Sequence, residues 1–110
     1  MSSAEALNMR LLSQNTLRGF GNVGEGISIQ LAKDGRRILW LAHESAPKNF
    51  SGVDVSDPRN PKVICQTDLP HNTVRSNSLD VVGNTMAVAY QTQTWGEKPA
   101  GVELFDISDP

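Results

Sequence analysis

Asp54-Val-Ser-Asp-Pro58 is the stretch of sequence that decides the fold, because it recurs 52 residues later as Asp106-Ile-Ser-Asp-Pro110. A second pair has the same offset, since Leu11-Leu-Ser-Gln-Asn-Thr-Leu17 is similar to Val63-Ile-Cys-Gln-Thr-Asp-Leu69. Two pairs at one offset indicate an internal repeat, and such a repeat is typical of proteins that stack one supersecondary unit on the next.

The residues between the repeated motifs predict short β-strands. Residues 26–31 alternate apolar and polar side chains, the pattern of a half-buried strand, and Asp34-Gly35 supplies a tight hairpin turn. Residues 37–42 are apolar on both faces, which indicates a strand covered on both sides. The predicted strands, called A to D in each unit, are 26–31, 37–42, 50–55 and 62–67 in the first unit and 78–82, 85–90 and 102–107 in the second.

This order predicts an all-β fold built from antiparallel four-stranded blades of a β-propeller, about two blades in an incomplete ring. We divide the chain into an N-terminal segment (1–25), a first blade (26–70) and a second blade (71–110) that is truncated before its last strand. Within the N-terminal segment, residues 10–17 are expected to form a ring-closing strand, followed by a Gly-rich connection. Because a closed propeller needs ~4–8 blades, unpaired strand edges favour self-association.

The two motif-bearing segments resemble a known repeat family. Gly52-Val-Asp-Val-Ser-Asp-Pro-Arg-Asn-Pro-Lys-Val63 and Gly101-Val-Glu-Leu-Phe-Asp-Ile-Ser-Asp-Pro110 are similar to the repeat of the LVIVD-repeat family, an aliphatic strand ending in Asp-(Val/Ile)-Ser-Asp-Pro. The resemblance covers roughly residues 26–110 and implies a β-propeller. It implies no settled activity and brings no catalytic residues. The offset of 52 residues is longer than the usual repeat of the family, which points to specialised loops.

Composition argues against several function classes. The 110 residues carry a net charge of −2 with no basic excess, which argues against nucleic acid and anionic membrane surfaces as partners. No apolar run reaches the ~18 residues that cross a bilayer, and the N-terminus lacks a secretory signal pattern, so the expected location is cytoplasmic. The single cysteine, Cys65, has no partner for an internal disulfide and is expected to be a buried, inert thiol.

One end of the predicted blades carries candidate binding residues. His43 ends a strand B and His71 lies in the link from strand D to the next strand A, two positions that open on one face of a propeller. Imidazoles brought together can hold a metal or an anionic ligand, and a loop tryptophan is a candidate contact residue. The candidate binding residues are His43, Glu44, His71, Asn72, Arg75 and Trp95.

These features predict a non-catalytic scaffold that needs no cofactor and binds an unknown protein or small-molecule ligand. One alternative is a propeller enzyme with a metal or ligand site on the face of His43 and His71. Asp54 and Asp106 are not a candidate acid/base pair, because the repeat puts them in different blades. They are expected to accept local hydrogen bonds at strand ends, and Trp40 is expected to lie in the core.

A second alternative is NAD-type dinucleotide binding. Gly19-Phe-Gly-Asn-Val-Gly24 matches G-x-G-x-x-G, and Glu44 follows Gly24 at the distance where an acidic residue binds the ribose. This alternative requires a helix over the residues that follow Gly24. The segment before the motif, Ser13 to Thr16, is polar, whereas the motif has to follow a buried apolar strand.

Overall fold

Two antiparallel β-sheets make up almost all of the computed structural model, which describes residues 8–20, 22–94, 96 and 100–110. Residues 1–7 of the predicted N-terminal segment lie outside the described residues. Sheet 1 has the strand order β1-β2-β3-β4 and sheet 2 the order β5-β6-β7. Their bounds are β1 Val23–Leu31, β2 Arg37–His43, β3 Lys48–Asp54, β4 Lys62–Asp68, β5 Val74–Val82, β6 Thr85–Thr92 and β7 Gly101–Asp106.

The predicted all-β fold is confirmed, and the strands predicted from residue 26 onward are present with their bounds shifted by a few residues at most. Successive strands pair antiparallel, so each sheet is a meander held by short connections. The described residues contain one short helical turn, Leu17–Gly19, and no helix that is long and apolar enough to span a membrane.

A β-strand follows the Gly-rich motif at the place where dinucleotide binding needs a helix. Residues Val23–Leu31 form β1, in which the exposed Ile27 and Ile29 alternate with the buried Gly26 and Gln30 and the half-buried Ser28. The helix that this alternative requires after Gly24 is therefore not formed, and the described residues there offer no helix N-terminus to hold a pyrophosphate. Gly21, inside the motif, lies outside the described residues.

The N-terminal segment lies against sheet 1 without joining it as a strand. Ser13 Oγ donates to the Pro58 carbonyl at 2.5 Å, and Arg18 Nη2 donates to the Val63 carbonyl at 3.2 Å. Leu17 is buried against Leu41 and Val53. Residues 10–17 therefore run beside β4 on one face of sheet 1, and their expected role as a ring-closing strand stays a prediction.

The core lies between the two sheets. We call the face of sheet 1 that meets sheet 2 its front face; it presents Ile38, Trp40, Ala42 and Phe50 to Leu79, Met86 and Val88 of sheet 2. The ring of Phe50 packs edge-on against that of Phe105, with 5.0 Å between centroids. Trp40 lies in this core as predicted, and its Nε1 donates to Gln30 Oε1 at 3.0 Å, which satisfies a buried indole N–H.

Both copies of the Asp-x-Ser motif end their strands in the same way. Asp54 Oδ1 accepts hydrogen bonds from the Ser56 hydroxyl at 2.6 Å and the Ser56 backbone N–H at 2.9 Å. Asp106 accepts the same two bonds from Ser108. The hydroxyl bond, followed by the backbone bond, holds the pKa of each carboxyl below its usual value of 3.8. The predicted local role of both aspartates is confirmed, because each closes the turn that follows its own strand.

We predict that Gly26→Ala destabilises the fold. A Cβ atom at Gly26 would lie 2.7 Å from Ala42 Cβ and 2.8 Å from the Leu79 backbone nitrogen, so the two sheets would have to separate. Overpacking of this kind costs about 1–3 kcal/mol in the free energy of unfolding. Chemical denaturation measures it, with Glu25→Ala at the exposed neighbouring position as the control, expected to change stability by less than about 0.5 kcal/mol. Equal stability of Gly26→Ala and wild type would contradict the close approach of β1 and β5.

Candidate functional site

The candidate site residues lie at one end of the two sheets. Strands β1, β3, β5 and β7 begin at this end and β2, β4 and β6 finish there. Strands β1 and β5 run side by side in the same direction, since Ser28 Oγ donates to Asp80 Oδ1 at 3.3 Å and Gln30 Nε2 donates to Asn84 Oδ1 at 3.1 Å. We call this end, with the connections 20–22, 44–47, 69–73 and 93–100, the loop end. Trp95 belongs to the last connection and lies outside the described residues.

His43 does not face solvent as the sequence analysis expected. It is fully buried, its Nε2 lies 2.6 Å from Ser51 Oγ, and Phe20 packs edge-on against its ring at 5.0 Å. The cause is the N-terminal segment, which covers the face of sheet 1 that carries Ser51 and binds the side chain of Gln66 through the Leu17 carbonyl at 3.0 Å. The imidazole is therefore a packed and hydrogen-bonded element of the fold.

The neighbours predicted to join His43 are dispersed. Glu44 lies over Gly24, where an added Cβ atom would collide with the Glu44 side chain. His71 is half-buried with its Nδ1 2.5 Å from Thr73 Oγ1, and Asn72 is exposed. The described residues include no group of three or more His, Cys, Asp and Glu side chains that could hold a metal ion. The geometry thus gives no support to a metal site built on the two histidines.

A cavity of about 200 Å³ adjoins His71. Its polar centre is Tyr90, whose hydroxyl accepts a hydrogen bond from Asn49 Nδ2 at 2.8 Å and donates one to Glu103 Oε1 at 2.5 Å. Burial, and then the hydrogen bond to the Glu103 carboxylate, raises the pKa of Tyr90 above its usual value of 10. The residues that line the cavity are Pro70, His71, Val74, Tyr90, Ala100, Val102 and Glu103.

Tyr90 and Glu103 were not predicted from the sequence as site residues. Glu103 pairs with Val88 and Gly101 pairs with Tyr90, so the tyrosine and the glutamate are diagonal neighbours on one face of sheet 2. A signal was available, because Glu103 interrupts an otherwise apolar strand at a position that faces the core. The buried Asn49 amide, whose Oδ1 has no partner among the described residues, has no such signal in the sequence.

A second cavity of about 460 Å³ at the loop end is built around Arg75. Arg75 Nη2 donates to Gln91 Oε1 at 2.8 Å across the β5–β6 pair. The Nε atom of the same guanidinium is buried and has no hydrogen-bond acceptor among the described residues. The remaining lining residues are polar or small, namely Gln91, Thr92, Gln93 and Gly96. A cationic side chain therefore lines this cavity, and the Nε donor of the same side chain is buried without an acceptor among the described residues.

No protein-family model, curated protein or solved structure matches the chain. The function therefore has to be inferred from the chemistry of the loop end itself. In the cavity at Tyr90 the hydroxyl already donates and accepts hydrogen bonds, whereas beside the cavity at Arg75 the Nε donor is satisfied by no described residue.

We predict that the phenol of Tyr90 ionises only above its usual pH range. Tyr90 is the only tyrosine of the chain, so the absorbance of phenolate near ~295 nm reports this residue alone. Because burial and Glu103 favour the neutral form, the folded chain is expected to show little phenolate at pH 10, where a free tyrosine is half ionised. The stability that this group contributes is full below pH 10 and is lost as the pH rises through the pKa of the folded state.

Glu103→Gln tests the cause of this shift. It removes the charge that accepts the hydrogen bond, so the pKa of Tyr90 is expected to fall toward 10, while Glu44→Gln, at a different part of the loop end, leaves the titration unchanged. Half-ionisation of wild-type Tyr90 at pH 10 in the folded state would show that the Asn49–Tyr90–Glu103 contact is not formed.

Proposed function

We propose that the chain forms two adjacent blades of a β-propeller and acts as a non-catalytic binding module, with a carboxylate-bearing small molecule or side chain as its ligand at Arg75. The observation that carries the ligand proposal is the buried Arg75 Nε, which has no acceptor among the described residues beside a cavity of about 460 Å³. A buried guanidinium donor without a partner is costly, and a planar carboxylate is the acceptor that fits its geometry best.

The polarity of sheet stacking supports the blade assignment. The Asp54 and Asp106 motifs align Gly52 with Leu104, and these residues pair with Trp40 and Ala87. Trp40 lies on the front face of sheet 1, in the core, whereas the equivalent Ala87 lies on the outward face of sheet 2. The front of one repeat therefore rests on the back of the next, which is the head-to-tail order in which propeller blades follow one another.

The register of the contact supports the same conclusion. Ser28 in sheet 1 and Asp80 in sheet 2 are one repeat apart in sequence, and a hydrogen bond joins their side chains. Strands β1 and β5, the first strands of their units, approach each other closely at Gly26, where an added Cβ atom would lie 2.8 Å from the Leu79 backbone nitrogen. In a propeller, the first strands of adjacent blades pack against one another at the inner edge, and the later strands lie further out.

The shape of the loop end supports a binding role. At the opposite end, the turns after Asp54 and Asp106 are closed by hydrogen bonds within the turn itself. At the loop end, the connection over 93–100 is longer than its counterpart over 44–47. Binding residues concentrate on loops that a rigid scaffold positions. A metal-dependent enzyme at His43 and His71 is less well supported, since His43 is fully buried behind Phe20.

Titration of the ¹⁵N-labelled chain with glutarate, followed by NMR, tests the ligand proposal. We predict shifts at Arg75, Gln91 and their neighbours in wild type, and binding at least about tenfold weaker for Arg75→Gln, because a hydrogen bond to a charged group contributes about 1.5–3 kcal/mol. Arg59→Gln removes an exposed arginine in the turn after β3, at the opposite end, and is expected to bind like wild type. Inorganic phosphate is the second probe, and a preference for it over glutarate would change the ligand class from carboxylate to phosphate.

Arg75→Lys separates charge from geometry in this experiment. A lysine keeps the positive charge but loses the planar fork, so the loss of affinity is expected to approach that of Arg75→Gln. Wild-type shifts that are absent, or that persist unchanged in Arg75→Gln, would remove Arg75 as the ligand-binding residue.

A further inference from the structure

Two apolar sheet faces remain exposed, one at each side of the stacked pair. The outward, front face of sheet 2 exposes Val82, Val102 and Leu104 by 79%, 63% and 71%. The outward, back face of sheet 1 exposes a stripe along β1, in which Ile27, Ile29 and Leu31 are 59%, 56% and 68% accessible. Apolar side chains grouped in this way mark an interaction surface.

The two exposed faces are the two halves of a contact that the chain already makes once. Inside the chain, the front of sheet 1 packs on the back of sheet 2, and the exposed faces are the front of sheet 2 and the back of sheet 1. The repeat register makes Leu104 the counterpart of Gly52, and Val81 and Leu79 the counterparts of Ile29 and Ile27. The two exposed faces are therefore suited to pack on each other. Neither face is suited to pack on a second copy of itself.

The cross-strand pairs on the front faces show compensating sizes. In sheet 1, Trp40 stands opposite Gly52, where an added Cβ atom would lie 2.8 Å from the indole. In sheet 2, the small Ala87 stands opposite the large Leu104. Both pairs thus fill a similar space with one large and one minimal side chain. The front of sheet 2 is built as a packing face, although nothing among the described residues covers it.

The N-terminal segment carries the sequence counterpart of the strand that sheet 2 lacks among the described residues. Strand β3 of sheet 1 is flanked by β2 and β4, whereas its counterpart β7 pairs only with β6 among the described residues. Residues 11–17 are the repeat counterpart of 63–69, the sequence of β4. They lie on the back of sheet 1 beside β4, held by Ser13 and Arg18. A sheet stacked on that back face would bring its own last strand next to residues 11–17.

We propose that copies of this chain assemble head to tail, with the front of sheet 2 of one copy on the back of sheet 1 of the next. The proposal rests on the blade stacking of the proposed function and not on the Arg75 cavity. In the assembly, residues 11–17 of one copy add to the free edge of β7 of its neighbour, so that each sheet 2 gains a fourth strand. A heterologous interface of this kind closes into a ring when the rotation per copy allows it. With two blades from each chain and ~4–8 blades in a ring, closure takes about two to four copies.

Light scattering coupled to size exclusion, on the full chain over a range of concentrations, tests the assembly. We expect a mass of two to four chains for wild type. Leu104→Lys on the front of sheet 2 and Ile29→Lys on the back of sheet 1 are each expected to give the mass of a single chain. Both side chains are exposed in the isolated chain, so the variants are expected to fold, and circular dichroism checks that the strand spectrum is retained. Lys33→Glu, in the exposed turn between β1 and β2 and outside both faces, is the control and is expected to assemble like wild type.

Mixing the two variants tests the polarity of the contact. Leu104→Lys keeps an intact back face and Ile29→Lys keeps an intact front face, so an equimolar mixture is expected to form a one-to-one dimer that grows no further. A symmetric, two-fold contact would not be restored by mixing, and that result would overturn the head-to-tail arrangement. A wild-type chain that stays single at every concentration would assign both faces to other partners and overturn the proposal, while glutarate binding at Arg75 would be unaffected.

Discussion

A β-sheet with apolar side chains on both faces has to be covered on both faces, and this constraint governs the whole structure. Strand β2 shows it directly, because Ile38 and Trp40 on one face and Leu41 on the other are all buried. One face is covered by sheet 2 and the other by Leu17 of the N-terminal segment. Burial of such side chains contributes about 25 cal/mol per Å² of apolar surface. The stacking of sheets is therefore a condition of stability for each sheet and not an addition to it.

Close approach between the sheets follows from the same constraint and sets their register. Gly26 lies where β1 comes nearest to β5, and only a residue without a Cβ atom leaves room for the Leu79 backbone. Further along β1, the Gln30 side chain bridges the sheets by donating to Asn84 Oδ1 and to the Ile107 carbonyl at 2.8 Å. Buried polar groups that are satisfied only in one alignment select that alignment. The hydrophobic contact provides the free energy, and the glycine and the glutamine specify the geometry.

The strands and the strand-end turns were predictable from sequence, whereas the surroundings of the candidate site residues were not. Alternation along 26–31 and the Asp-x-Ser motif are local signals, since their physical cause lies within a few residues. The burial of His43 depends on Phe20, and the engagement of Tyr90 depends on Asn49 and Glu103, all of them brought together by tertiary packing. Arg75 lies at the loop end, and its Nε without an acceptor could be found only from the coordinates.

Head-to-tail stacking determines where the proposed binding surface lies in the fold. Because β1 and β5 run in the same direction, every unit added in the same polarity carries its loop end to the same side. A two-fold contact between sheets would instead place successive loop ends on opposite sides. The polarity of stacking therefore gathers the 69–73 and 93–100 connections, with the cavities at Tyr90 and Arg75, onto one surface. The opposite side keeps the turns closed by Asp54 and Asp106, so the loops of the proposed binding function lie at the end opposite to these structural turns.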